Sequence, residues 1–559
     1  MTVFCLICVL NGGKFMKKLF MFCFSTLLFL ATLTGCGGTD NGNNTTPQPA
    51  AQEITVAVAS QFTTLDTGLN TETVNSRILK HTAPALFAKA TSGEMVPVLA
   101  ESYTVSEDGL CYTIKLKEGI VWSDDVPFTA EHLEFAVLRN LTYGADNAWA
   151  TYDLQTYLVD AAPYAGKSDI DPTTLKIKGV NVVDDHTIEY HLVKPCSFFL
   201  NVLGTNVFKP LRPDFIENNS STWAMTPGYP TLGAYSVAEV NANEKCVLVK
   251  NPKYFEADQV NIEKITFLVM IDADAQALAF KTGEIDIATA VSPETALNYK
   301  NNIVDVMDIS AYFMAINSGP TGPDYMQNVN VRRALALAID KIAMTEVIGA
   351  DFYKPLNGYI PNGITGISGD FRDEQDAIKT YLDYDPEEAK ALLAAEGYDQ
   401  ANPLKIKYKY SNTQLHSDVA QIAQQMWKAI GVECELEPVE GGVFYGQLDE
   451  GLFEIARYGY SAGDDPVRFL ALWTQAIQVV PAVADEYYDE QVDQAAYLVD
   501  RTEYMTKMHE LEEYLVEEMV YVIPLFNYVA PYLQKDYISN VRFAGGDVPD
   551  YSGAVIADH

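Results

Sequence analysis

Runs of alternating apolar and polar residues recur along the chain, separated by stretches with a helical period. Glu53–Ala59 (EITVAVA), Cys111–Lys117, His186–Leu192, Lys245–Lys250, Ile262–Met270, Leu404–Tyr410, Val432–Val439 and Phe453–Tyr460 predict strands. Several of them show the two-residue alternation of a half-buried strand. Asp385-Pro386-Glu387-Glu388 supplies an N-cap acid, a proline at the first helical position and a glutamate three residues after the cap; AKALLAAE follows, and Gly397 stops the helix. Ser417–Ile430 with Gly431 repeats that design. Val331–Val347 reads as one apolar-faced helix carrying Arg332 and Arg333, and Arg501–Met519 as a long charged helix. Strands and helices alternate, so the class is α/β or α+β.

At 559 residues the chain exceeds what one core supports, and two or three lobes are expected. The net charge of −37 repels phosphate backbones and anionic headgroups. It argues against nucleic acid as a partner and suits solubility or attraction of cationic ligand ends. Cys111, Cys196, Cys246 and Cys434 are far apart with no metal-type spacing, and their pairing is left open.

Met16–Cys36 reads MKKLFMFCFSTLLFLATLTGC. Lys17 and Lys18 precede an apolar run of about fifteen residues, short for a bilayer span. Leu33-Thr34-Gly35-Cys36 then resembles the bacterial lipoprotein signal, with the Cys36 thiol as the site of lipidation. Residues 1–35 are read as signal region with Met16 as the true start, and 36–51 as lipid-bearing cysteine and flexible tether. The expected location is the outer face of the cytoplasmic membrane.

Gly459-Tyr460-Ser461-Ala462-Gly463 matches GxSxG, the nucleophile elbow of a serine hydrolase, between a strand and a helix. Only His509 and His559 lie downstream to complete a triad, one in a charged helix and one at the last residue. His186 and His191 are five apart on a strand and face opposite sides. There is no HExxH, GxxxxGK[ST] or GxGxxG, so neither enzyme activity, a metal nor a cofactor is expected.

Ordered motifs run through the body: PVLAES at 97–102, Asp108-Gly109, Trp122-Ser123-Asp124, Pro127-Phe128-Thr129-Ala130-Glu131, Gly233-Ala234-Tyr235, Asn251-Pro252-Lys253-Tyr254-Phe255, Gly283-Glu284-Ile285-Asp286-Ile287, VRRALALAID at 331–340, DPEEAKALLAAEGY at 385–398 and Ile523-Pro524-Leu525. Together they resemble the family-5 solute-binding proteins of ABC importers, the oligopeptide- and dipeptide-binding group. The resemblance implies a mixed α/β, type II periplasmic-binding-protein-like fold. Its first lobe is expected at 52–86, 201–311 and 527–559, an extra subdomain on that lobe at 87–200, and the second lobe at 312–526. It implies a monomeric receptor that traps peptides between closing lobes and passes them to membrane permease subunits. A sugar or nickel chelate is the alternative ligand on the same scaffold, and a sensor or chaperone lipoprotein without a transporter is a further option.

The resemblance also implies site residues. Tyr458, Gly459, Tyr460 and Ser461 would offer main-chain groups to an extended ligand. Arg457 and His416 match positions that contact a ligand carboxylate, and Thr71, Glu72 and Thr73 match an opposing strand of the first lobe. Family members carry an aspartate after the alanine matching Ala462, and it holds the ligand ammonium. This chain has Gly463 there, in a segment one residue short, so Asp464 takes the role if the gap precedes it. Asp464 and Asp465 could instead cap the helix near Pro466, and His416 could be a cap neighbour.

Overall fold

The computed structural model describes residues 52–70, 72–143, 148–216, 222–307, 309–461, 463, 465–475, 482–544 and 548–558. Cys36, Thr71 and Asp464 lie outside them. Among the described residues one sheet holds twelve strands: β1 (Glu53–Val58), β2 (Tyr235–Asn241), β3 (Lys245–Lys250), β4 (Lys264–Val269), β5 (Ile287–Ala288), β6 (Ile303–Met307), β7 (Ser310–Ile316), β8 (Tyr353–Pro355), β9 (Lys405–Ser411), β10 (Glu433–Val439), β11 (Ile455–Ser461) and β12 (Val522–Gln534). Their order is β10-β9-β11-β7-β12-β5-β1-β4-β3-β2, with β6 and β8 also paired to β12. The helices that matter below are α1 (Thr73–Thr82), α2 (Ala130–Tyr143), α3 (Ala148–Tyr157), α4 (Val329–Leu337), α5 (Lys341–Ile348), α6 (Gln414–Ala429) and α7 (Arg501–Glu513).

The long strand β12 joins the two halves of this sheet. Its first residues ladder with β7, Val522 opposite Ala315 and Phe526 opposite Tyr312. Its last residues ladder with β6 and β5, Val529 opposite Met307 and Gln534 opposite Ile287. Pro524 lies beside a register shift of the β7 ladder, the kind of irregularity that tolerates a missing N–H. All seven residues of β7 are buried, Tyr312, Met314 and Ile316 in one core and Ala311, Phe313 and Ala315 in another.

Three principal cores follow. Val56, Ile78, Tyr235, Leu248 and Phe267 pack between the β1–β4 half of the sheet and its helix. Met314, Leu335, Trp427 and Phe526 pack one face of the other half. The third core runs from the 87–200 segment, through Phe199 and Phe208, to Phe313, Trp473 and Tyr504. That segment has its own antiparallel sheet of Ala100–Val105, Cys111–Leu116, Thr187–His191 and Val180–Asp184. It is tied both ways. Arg139 of α2 makes a two-pronged pair with Asp66, both oxygens at 2.5 Å. On the other side Lys89 donates to the Gly363 carbonyl and Thr365 to the Gly93 carbonyl, at 2.8 and 2.6 Å.

Two helix expectations are corrected. Val331–Val347 is two helices, because Asp340 leaves the helical region and accepts the Ala343 N–H at 2.9 Å, capping α5. Arg501–Met519 is helical to Glu513 and then widens into a π turn over Tyr514–Glu518. Arg332 is buried on α4 and donates to the carbonyls of Met519, Met326 and Gln327, so its charge is met by peptide dipoles.

The Asp66–Arg139 side chains are both wholly buried. Arg139→Met leaves an uncompensated carboxylate and should cost about 3–5 kcal/mol. Urea unfolding measures it, and a loss below about 1 kcal/mol would mean that the pair acts like an exposed one.

Candidate functional site

Strand β11 is paired on one side with β7 along its whole length, Ile455 opposite Ile316 through Ser461 opposite Ser310. On the other side the parallel ladder with β9 stops at Lys409 opposite Ala456. Beyond that point Gly459, Tyr460 and Ser461 have a strand ladder on the β7 side alone among the described residues. An edge of that kind accepts an extended chain through main-chain hydrogen bonds.

Side chains alternate across β11. Tyr458 stacks on Phe313 at 5.6 Å and Tyr460 meets Phe469 edge-on at 5.6 Å, on one face. Arg457 turns to the other, with its guanidinium over the Tyr312 ring at 5.2 Å and a 3.2 Å hydrogen bond to the Tyr445 hydroxyl. A Cβ at Gly459 would stand 3.3 Å from the Arg457 guanidinium, so the glycine keeps that lane open. Tyr312 stacks on Phe526 at 4.4 Å and lies 6.3 Å from Tyr528. Its hydroxyl is 3.1 Å from His416 Nδ1.

Arg457 is 7% exposed, and its Nε has no hydrogen-bond partner among the described residues. The phenols of Tyr312, Tyr445 and Tyr528 act on it, and among the described residues it forms no ion pair with a carboxylate. A buried guanidinium without an anion is an incomplete pair. Thr413 caps α6 by accepting the His416 N–H, which sets His416 in the first turn and turned toward Tyr312. Burial, helped by the nearby Arg457 charge, pushes the His416 pKa down to about 4. His416 is therefore neutral at neutral pH, a ring with one N–H donor and one acceptor nitrogen, Nδ1 facing the Tyr312 hydroxyl.

A family model for bacterial extracellular solute-binding proteins, family 5 Middle, matches residues 94–478. The chain belongs to this family. Oligopeptide-binding protein OppA of Bacillus subtilis (strain 168) is 24% identical over 555 residues, covering 95% of this chain and 98% of OppA. Dipeptide-binding protein DppE of the same organism is 28% identical over 462 residues, covering 80% of this chain and 81% of DppE. The unliganded open form of the periplasmic murein tripeptide-binding protein MppA superposes with a TM-score of 0.80 at 24% identity, covering 91% of this chain and 98% of that one. That likeness establishes the mixed α/β, peptide-binding-protein fold.

For this family-5 chain the structure brings Arg457 and His416 together around Tyr312 and sets Tyr458 and Tyr460 on the opposite face. Of the expected opposing strand Thr71–Thr73, Thr71 lies outside the described residues. Glu72 is a single extended residue, its N–H taken by Asn70, and Thr73 opens α1. Asp465 is fully buried, accepting from the Val467 N–H, the Tyr504 hydroxyl and Arg501 at 3.1, 2.5 and 3.0 Å. Pro466 is the N-cap of the short helix that follows, and the ion pair of Asp465 with Arg501 went unforeseen.

Ser461 donates to the Ile309 carbonyl at 3.1 Å, while His509 stacks on Phe371 at 3.8 Å beside Glu374. The two have different neighbours, and His559 is outside the described residues. Among the described residues no group of acidic, cysteine or histidine side chains could hold a metal, and no helix is long and apolar enough to cross a membrane. Tyr312, Tyr445 and Tyr528 are site residues that the sequence reading missed. The all-apolar run holding Tyr312 has no alternation to expose its two faces.

The site carries a pH signature. The His416 pKa drops from its ordinary 6.5 to about 4 on folding, so only the unfolded chain takes up this proton between those values. Stability from this group is complete above pH 6.5, falls as the pH drops toward 4 and levels off below. His416→Gln should flatten that part of the curve in unfolding at stepped pH. His132, lowered to about 4 by burial, keeps its own share of the slope.

Proposed function

We propose that the chain is an extracytoplasmic receptor for peptides, held to the outer face of the membrane by a lipid on Cys36, that delivers them to the permease of an ABC importer. Ligand is trapped between a first lobe (52–86, 201–311, 527–559, with 87–200 attached) and a second lobe (312–526) that close about the strands crossing between them. The family and the names of OppA and DppE support the ligand class. The observation that carries the reading is Arg457, a buried cation with no carboxylate partner among the described residues, beside an edge that ladders on one side. An extended peptide supplies both missing parts: main-chain groups for Gly459–Ser461 and a carboxylate for Arg457, with His416 as a neutral neighbour. Glu72 would face the ligand from the first lobe. The chain acts without a cofactor and as a monomer, and its transport energy comes from the partner subunits.

A thermal-shift screen with peptides of two to eight residues, sugars and nickel chelates tests the ligand class. A ligand at a hundred times its dissociation constant adds about 2.7 kcal/mol to stability, enough to raise the melting temperature visibly. A response to sugars or chelates alone would overturn the peptide reading. Within it, Arg457→Met should weaken peptide binding by about tenfold or more and abolish any preference for a free over an amidated C-terminus. Peptides recovered uncut from wild-type protein and from Ser461→Ala alike would dispose of the serine-hydrolase reading.

A further inference from the structure

Just past the end of β11 an ion pair joins two distant parts of the chain. Arg468 donates from Nη2 to Asp153 Oδ1 of α3 at 2.9 Å, across a separation of 315 residues. The pair is largely shielded, with side-chain exposures of 21% for Arg468 and 12% for Asp153. Arg468 also lies against Gly463, where an added Cβ would come within 3.3 Å of its Cδ and 3.4 Å of its Nε. Its charge acts on the Tyr460 hydroxyl as well. The guanidinium thus occupies the space at the open-edged end of β11, and Gly463 leaves it that space.

We infer that Asp153 is the acceptor for the cationic end of the ligand, and that Arg468 yields its place on Asp153 to that cation. This rests on the peptide reading above. Two carboxylates are described at this end of β11. Asp465 is fully buried and committed to Tyr504, Arg501 and the Val467 N–H. The Asp153 carboxylate is held by Arg468, a long side chain with many rotamers that can swing to water and leave it without a cation. A buried carboxylate is costly unpaired, so the exchange needs an incoming cation and amounts to selection for one. A ligand ammonium offers one charge and three donors in a smaller volume than a guanidinium. A peptide with its ammonium here and its carboxylate at Arg457 runs antiparallel to β11, and a strand edge can ladder with either direction. The chain would then hold both ligand ends with groups from segments far apart in sequence.

The test is calorimetric titration of the purified full-length chain with a mixed-sequence tripeptide pool and with the same pool N-acetylated. Wild-type protein should prefer the free amine. Asp153→Asn should lose about tenfold or more of the affinity for the free-amine pool and bind both pools equally. Arg468→Met removes the competitor and should strengthen free-amine binding several-fold, a direction that misfolding does not produce. A wild-type chain that binds neither pool would overturn the peptide reading itself. If the free-amine preference persists in Asp153→Asn, or is lost in Asp464→Ala instead, peptides remain the ligand and Asp153 is not the anchor. Weaker free-amine binding in Arg468→Met would equally overturn the role given to Arg468.

Discussion

A single thirteen-residue strand, Val522–Gln534, hydrogen-bonds into both halves of the main sheet and makes them one continuous ladder. The strands beside it, β6 and β7, follow one another in the chain and ladder with its two ends. A backbone ladder resists sliding, so the crossing holds the register of both halves on one strand. Its two prolines, Pro524 opposite Phe313 and Pro531 opposite Asp305, each remove one N–H donor from the ladder.

The buried arginines differ in what answers their charge. Arg139 faces Asp66, Arg372 faces Glu512 and Asp376, and Arg332 faces three main-chain carbonyls. These cations are compensated within the protein and serve to hold segments together. Arg457 is answered by phenols and a ring, which favour a cation without neutralising it. Arg77 is likewise buried and answered by the phenols of Tyr532 and Tyr551, so what sets Arg457 apart is its place beside the open edge of β11.

The same logic bears on the net charge. A chain at −37 draws cations to its whole surface. Near β11 the described groups reverse that balance, since Arg457 has no acid and Arg468 offsets Asp153. Long-range attraction and local recognition are then separate devices, one carried by the exposed acids and the other by a few shielded pairs.

Local pattern reached as far as local physics does. Lys245–Lys250 is a strand with the expected ends, and the Asp385 cap, accepting the N–H groups of Glu387 and Glu388, starts its helix as expected. Arg457 could be singled out because a charge inside an apolar strand needs a partner wherever the chain folds. Strands β7 and β12 escaped, since residues buried on both faces carry no alternation and β12 contains two prolines. The break at Asp340 escaped because the apolar period continues across it. The sequence alone therefore determined the class, the bounds of the strands that alternate, the family and the candidate cation. The tertiary structure alone decided what surrounds that cation. Tyr312 and His416 are 104 residues apart and Asp153 and Arg468 are 315 apart. A hydrogen bond between such groups depends on how the sheet halves and helices pack, and a periodicity read over a dozen residues carries no record of that packing.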